Sequence, residues 1–128
     1  MTELKKQSNC QNGIGFVNQP CFIPAQEVLH LVGKKWGIQL IHLLRDGNPK
    51  RYNEIKEELR KGWKEKQISD ATLSDRLADF VKKGIINREV YPEIPPKVEY
   101  HLSDKGMSLS QALQPLVTWA HDFCHGNL

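Results

Sequence analysis

Ala71, Thr72, Asp75 and Arg76 fall within six consecutive residues, and their side chains match what the edges of DNA bases offer. A guanidinium can fork onto guanine, a carboxylate can accept from the cytosine amino group, and the methyls of Thr and Ala can meet the methyl of thymine. This is the chemistry of recognition rather than of bond making. No nucleophile and base stand at a readable catalytic spacing. Glu54, Glu57 and Glu58 are more simply a solvated helix face than a catalytic carboxylate pair, so no enzyme is expected. His121 and Cys124 lie one helical turn apart, and His125 could sit beside His121, but a fourth metal ligand is not apparent. Cys10, Cys21 and Cys124 have no CxxC spacing and make neither a disulfide framework nor a strong zinc site. Gly33-Lys34-Lys35 lacks the rest of a P-loop. No metal or cofactor is expected.

The elements that must position the four residues follow from periodicity. Ser69 suits a helix N-cap. Leu73, Leu77, Phe80 and Val81 form a buried stripe, and Gly84 suits the stop. Opposite that stripe lie Ala71, Thr72, Asp75, Asp79 and Lys82, with Arg76 on the flank. Only the first two turns of such a helix reach base edges. A short helix from Arg51 to about Arg60, with Ile55 and Leu59 inward, precedes it. Residues 61–67 between them form either an enlarged turn or an extension of that helix. Their Lys61, Lys64 and Lys66 add positive charge, and Trp63 is read as packing back on the domain.

After Gly84 the period changes from helix to strand. In Lys97 to Leu102, Val98, Tyr100 and Leu102 point one way and Lys97, Glu99 and His101 the other, which is a half-buried strand. Ile86 to Val90 reads as its partner. The link carries Pro92, Pro95 and Pro96, which fix φ and cannot donate to a ladder. Two helices followed by a stiff ribbon make a winged helix-turn-helix pattern. One helix braces the backbone, the next enters the major groove, and the ribbon reaches adjacent sugar-phosphate or minor groove.

The remaining segments frame this unit. Residues 1–20 read as a polar arm, and residues 21–128 as one winged-helix domain. A helix opens at Pro24 and runs through Ala25, Val28, Leu29 and Val32 to Gly33. A second, from about Lys35 to Arg45, carries Trp36, Leu40, Leu43 and Leu44 on one stripe, with Trp36 in the core. Ser103 caps a last helix, which Pro115 should kink or divide. That helix carries too many apolar residues for a monomer surface. The fold class is therefore mainly α with a small β-ribbon. With 128 residues, 39% apolar, the chain can bury a real core. Its net charge of +3 is compatible with nucleic acid without proving it. No apolar run reaches membrane-spanning length and the N-terminus has no apolar signal segment, so no membrane partner and a cytoplasmic location are expected.

The string REVYPEIPPKVEYHLSDKG closely resembles the wing of the HxlR-type transcriptional regulators, a winged-helix family related to the MarR-like regulators. Upstream, CFIPAQEVLHLVGKKWGIQLIHLLRDGNPKRYNEI resembles that family's opening. The resemblance covers roughly Cys21 to Cys124. It implies a dimeric regulator of double-stranded DNA, with an oxidant or small-molecule effector compatible with it. A winged-helix protein-interaction module without specific DNA binding is the alternative. Ser69, Thr72, Leu73, Ser74 and Arg76 match the family's recognition-helix motif, so Ser74 joins the candidate set. Asp70, Ala71 and Asp75 stand where polar or basic residues are common, and the aspartates Asp70, Asp75 and Asp79 would repel phosphate unless offset. Arg51, Arg88 and Lys97 match basic positions and are expected on one face as phosphate contacts. The family pairs through its terminal helices, which implies an interface of Val28, Leu29, Leu116, Trp119, Ala120 and Phe123. Cys21 occupies the position of a redox- or electrophile-sensing Cys. Its place just before a helix start has the dipole sign that favours a thiolate. A small buried hydrophobe is the plainer reading.

Overall fold

The computed structural model describes residues 21–62 and 67–124. The expectations for the arm 1–20, with Cys10, for Trp63, Lys64 and Lys66, and for His125 lie outside them. The chain divides after Lys35 into two compact units. In the first, α1 spans Ile23–Val32, with Pro24 in its first turn and Gly33 as C-cap. Val28 and Leu29 are exposed on it.

The second unit holds α2 (Gly37–Leu43), α3 (Tyr52–Gly62), α4 (Asp70–Lys82), β1 (Ile86–Tyr91), β2 (Lys97–Leu102) and α5 (Asp104–Asp122). This is the expected order of helices and ribbon. Several boundaries shift by one or two residues, α3 extending to Gly62 among them, and the start of α2 has a backbone cause. α2 begins at Gly37 because Trp36 adopts φ 75°, a left-handed conformation that breaks the helix before it. Such a backbone costs of order 1–3 kcal/mol outside glycine. Trp36 is only 3% exposed, and burying its indole offsets that cost.

The core is built from the stripes read in the sequence. Leu40, Leu44, Ile55, Leu73, Leu77 and Phe80 are fully buried, joined by Ile86 and Leu102 from the ribbon. α2 packs on α3 and α5, α4 on β1, and β2 on both α3 and α5. α4 ends as its sequence dictates. Gly84 takes φ 77°, its N–H donates to Val81 O and the Ile85 N–H reaches back to Phe80 O, which satisfies two terminal carbonyls. The chain then turns directly into β1.

β1 and β2 are antiparallel, with Ile86 opposite Leu102 and Tyr91 opposite Lys97. Ser103 fastens the base of this ribbon. Its hydroxyl donates to Gly84 O and Ile85 O and accepts from the Gly106 N–H, so one side chain joins the end of α4, the start of β1 and the first turn of α5. α5 runs undivided through Pro115. Pro115 and Gln111 are both exposed, so the carbonyl left without its helical partner lies on a solvent-facing side. No described helix is long and apolar enough to cross a membrane.

Candidate nucleic-acid interface

The N-terminal turns of α4 present the expected set. Ala71, Ser74 and Asp75 are exposed, and Thr72 and Arg76 are half-buried. Ser69 is the N-cap, its Oγ accepting from the Thr72 N–H at 3.1 Å. The same hydroxyl donates to Thr72 Oγ1 at 3.0 Å. The Thr72 hydroxyl oxygen thus takes part in the cap.

A polar tie that the sequence reading missed fixes where α4 begins. Tyr52 Oη donates to Asp70 Oδ1 at 2.9 Å and to Asp70 O at 3.2 Å. Lys56 Nζ reaches the same carboxylate oxygen at 3.1 Å. Tyr52 and Lys56 are four residues apart and so share a face of α3. These bonds, Lys56 first and Tyr52 next, hold the Asp70 carboxyl below the usual carboxylate range. Of the three aspartates expected to repel phosphate, Asp70 therefore has its charge offset by the bracing helix. Arg60 adds a further link, its Nη2 donating to Ile68 O at 3.1 Å.

A second tie joins α3 to the wing. Lys50 and Tyr100 exchange both backbone hydrogen bonds, at 2.9 and 2.8 Å, so the residue before Arg51 is stitched to β2. Arg51 precedes α3, and its N–H donates to Glu54 Oε1 at 2.8 Å, the backward half of a capping box. Its side chain is exposed. The Arg51 position is thus fixed relative to β2 through backbone atoms. Because Tyr100 spends its N–H and C=O on Lys50, Arg88 and Tyr100 form a non-hydrogen-bonded pair with close side chains.

The register corrects the expectation that Arg88 and Lys97 share one face. Arg88 stands opposite Tyr100, on the face of Ile86, Val90, Val98 and Leu102. Lys97 stands opposite Tyr91, on the other face with Glu89 and Glu99. Lys97 is also engaged there. Its Nζ lies 3.4 Å from Glu99 Oε2 and 5.1 Å from the centre of the Tyr91 ring. The directly opposed Glu89 and Glu99 would repel one another, and Lys97 and the Tyr91 hydroxyl, 3.0 Å from Glu89 Oε1, temper this. The hydrogen bond to Glu89 raises the Tyr91 pKa above its ordinary value. Arg88 is exposed.

The expected pairing residues fall on exposed or half-buried positions. Leu29 is 54% and Trp119 58% exposed, with Val28 and Leu116 also exposed. Ala120 and Phe123 are half-buried. Trp119 and Phe123 pack edge to face with ring centres 4.2 Å apart. Phe22, just ahead of α1, is 65% exposed and was not singled out from sequence. Cys21 is disulfide-bonded, whereas Cys124 is an exposed free thiol. Among the described residues no group of three His, Cys, Asp or Glu gathers as a metal site.

Comparison with known proteins places these features. Residues 31–127 match the model of the HxlR-like helix-turn-helix family. The chain is 38% identical over 99 residues to the HTH-type transcriptional regulator YodB of Bacillus subtilis, covering 77% of this chain and 82% of YodB. The reduced form of YodB superimposes with a TM-score of 0.70 at 35% identity, over 83% of this chain and 97% of that one. YodB has also been solved after diamide treatment. A MarR-family regulator from Enterococcus faecalis V583 gives a TM-score of 0.71 at 29% identity, over 86% and 94% of the two chains. The redox regulator HypR in its oxidized form gives 0.60 at 30% identity, over 82% and 97%. The winged helix-turn-helix, the capped α4 and these matches together assign the chain to the HxlR-like helix-turn-helix family.

Proposed function

We propose that the protein is a transcriptional regulator that binds double-stranded DNA sequence-specifically as a homodimer in the cytoplasm. α4 enters the major groove, and the ribbon meets the adjacent backbone or minor groove. Residues 21–128 act as one winged-helix domain, with α1 and α5 as its pairing helices and 1–20 as a polar arm. The observation that carries this reading is the seating of α4. Its base-facing turn is tied to α3 through Asp70, and α3 is tied to the wing through Lys50 and Tyr100. A preorganised reader with Arg51 and Arg88 as its flanking phosphate contacts is what groove recognition requires. Ala71, Thr72, Ser74, Asp75 and Arg76 read bases. Lys97 makes the weaker contact because Glu99 and Tyr91 compete for it.

Selection of bound duplexes from a random pool tests the reading directly. Enrichment of a near-palindrome, with half-sites about 10 bp apart or a multiple of it, is the expected result. A pool that remains random after repeated rounds refutes it. Sedimentation should give a species of twice 14.7 kDa. A monomer at micromolar concentration would refute the pairing of α1 and α5.

Cys21 is the redox element of this proposal. Its bonding state sits two residues before α1, the helix that carries Val28 and Leu29. Changing that state shifts the pairing helix and with it the spacing of two reader helices. The supporting likeness is to YodB, known in reduced and diamide-treated forms, and to the redox regulator HypR. Operator affinity measured in dithiothreitol and after diamide should differ for the parent and not for Cys21→Ser. An identical response from both proteins removes Cys21 from the role.

A further inference from the structure

Ile94 is the most exposed large apolar residue described in the chain, at 101%. It occupies the tip of the wing, between Glu93 and Pro95. The tip is stiff for reasons independent of any partner. Pro92, Pro95 and Pro96 fix φ on both sides of Ile94. The Glu93 N–H folds back to Tyr91 O at 2.8 Å. Below it, the neck is fastened by Lys97 over the Tyr91 ring and by the Val90–Val98 pair. The side chain is thus held outward at little further entropic cost on binding.

The charge of this tip is as informative as its shape. From Pro92 to Pro96 there is no cation, and Glu93 carries a negative charge. The tip therefore cannot act by neutralising phosphate. Among its side chains, the large exposed group offered to a DNA surface is the apolar one of Ile94. In a fold whose ribbon projects beside a major-groove helix, the apolar surface within reach is a base step seen from the minor groove.

We propose that Ile94 is an apolar wedge, entering the minor groove beside each half-site and partly unstacking one base step. This rests on the DNA-binding reading above. It adds a determinant of specificity that reads deformability rather than hydrogen-bond pattern. Pyrimidine–purine steps, which unstack and kink easily, should be preferred where the tip lands, and stiff A-tracts disfavoured. Arg88 and Arg51 supply the electrostatic attraction that holds the duplex while the wedge enters.

The test compares the parent with Ile94→Ser and Ile94→Leu on operator duplexes recovered by selection. 2-Aminopurine is placed in turn at each step flanking the half-sites. Ile94 makes no buried contact, so both variants fold. For the parent, binding should raise 2-aminopurine emission at one step per half-site and bend the duplex in a circular-permutation gel. Ile94→Ser should lose about tenfold or more in affinity, as expected from withdrawing one large apolar side chain. It should also lose the emission rise, the bend and the step preference, with its salt slope unchanged. Ile94→Leu should keep all four properties. An Ile94→Ser protein that binds, bends and discriminates as the parent does overturns the wedge while leaving DNA binding intact. Loss of binding with a changed salt slope overturns it too, because the tip would then act through phosphates. A parent that enriches no duplex at all overturns the regulator reading, and the wedge with it.

Discussion

Gly106→Ala should unseat the wing and destabilise the domain, although alanine is the better helix former. Gly106 lies in the first turn of α5 and is buried. A Cβ there would come closer to Ile85 O than the 3.0 Å that real Cβ atoms keep, with Ile85 C at 3.1 Å and Leu102 Cδ2 at 3.0 Å. The leucine methyl could give way. The carbonyl cannot do so freely, because it accepts from Ser103 N at 3.0 Å and Ser103 Oγ at 3.1 Å. Overpacking of this kind costs about 1–3 kcal/mol, and an obstacle made of backbone puts it at the upper end. Displacing the carbonyl weakens two hydrogen bonds worth about 1 kcal/mol each. Helix propensity returns about 1 kcal/mol. The net loss is then about 2–4 kcal/mol, or a melting temperature lower by about 10 °C or more for a domain of this size. Thermal melts of parent and variant at one protein concentration give the measurement, which removes any effect of self-association on the comparison. Gly62→Ala is the control, since a Cβ there meets nothing within 4 Å and should be neutral or slightly stabilising. If Gly106→Ala melts within about 2 °C of the parent, the base of the ribbon is more yielding than these contacts imply.

Other changes separate the parts of the interface. Asp70 has a folded pKa below its unfolded value of about 3.9, so its contribution to stability is present above that pH and is lost as pH falls through the lowered value. Acid titration of unfolding should show this loss in the parent and not in Asp70→Asn, and identical acid profiles would refute the tie to Lys56 and Tyr52. Arg51→Ala and Arg88→Ala should weaken all duplexes alike and reduce the salt slope by about one per lost phosphate contact, with Lys97→Ala doing less. A Lys97 effect as large as that of Arg88 would show that Glu99 and Tyr91 release it on binding. Arg76→Ala should cost about 1–3 kcal/mol on the selected site and relax one base pair per half-site. Equal weakening on selected and random DNA would demote Arg76 to a phosphate contact.

Which features could be read from the chain depended on how local their causes are. α4 was legible because its cap, stripe and stop all lie within sixteen residues, from Ser69 to Gly84. β2 was legible because its apolar residues alternate. β1 alternates poorly, with Asn87, Arg88, Glu89 and Val90 all exposed, so nothing in its own pattern fixed which face Arg88 would take. Only the register with β2 decides that, and it separates Arg88 from Lys97. The Lys50–Tyr100 bridge joins backbone atoms and leaves no mark on residue type. The Tyr52–Lys56–Asp70 tie joins residues far apart in the chain, and only the shared face of Tyr52 and Lys56 hinted at it. Trp36 read as an ordinary stripe position, because a left-handed backbone at a bulky residue is dictated by what buries it rather than by its own preference.

The exchange between Lys50 and Tyr100 also bears on how copies of the chain avoid one another. A two-stranded ribbon has two outer edges, and an unpaired edge is a template for strand addition and aggregation. On β2 the outward N–H and C=O of Tyr100 are already taken by Lys50. On β1 the outer edge is only six residues long, displays the charges of Arg88 and Glu89, and runs out at Pro92. Both edges are thus poor partners for another strand. The ribbon can project from the domain without recruiting a neighbour's ribbon.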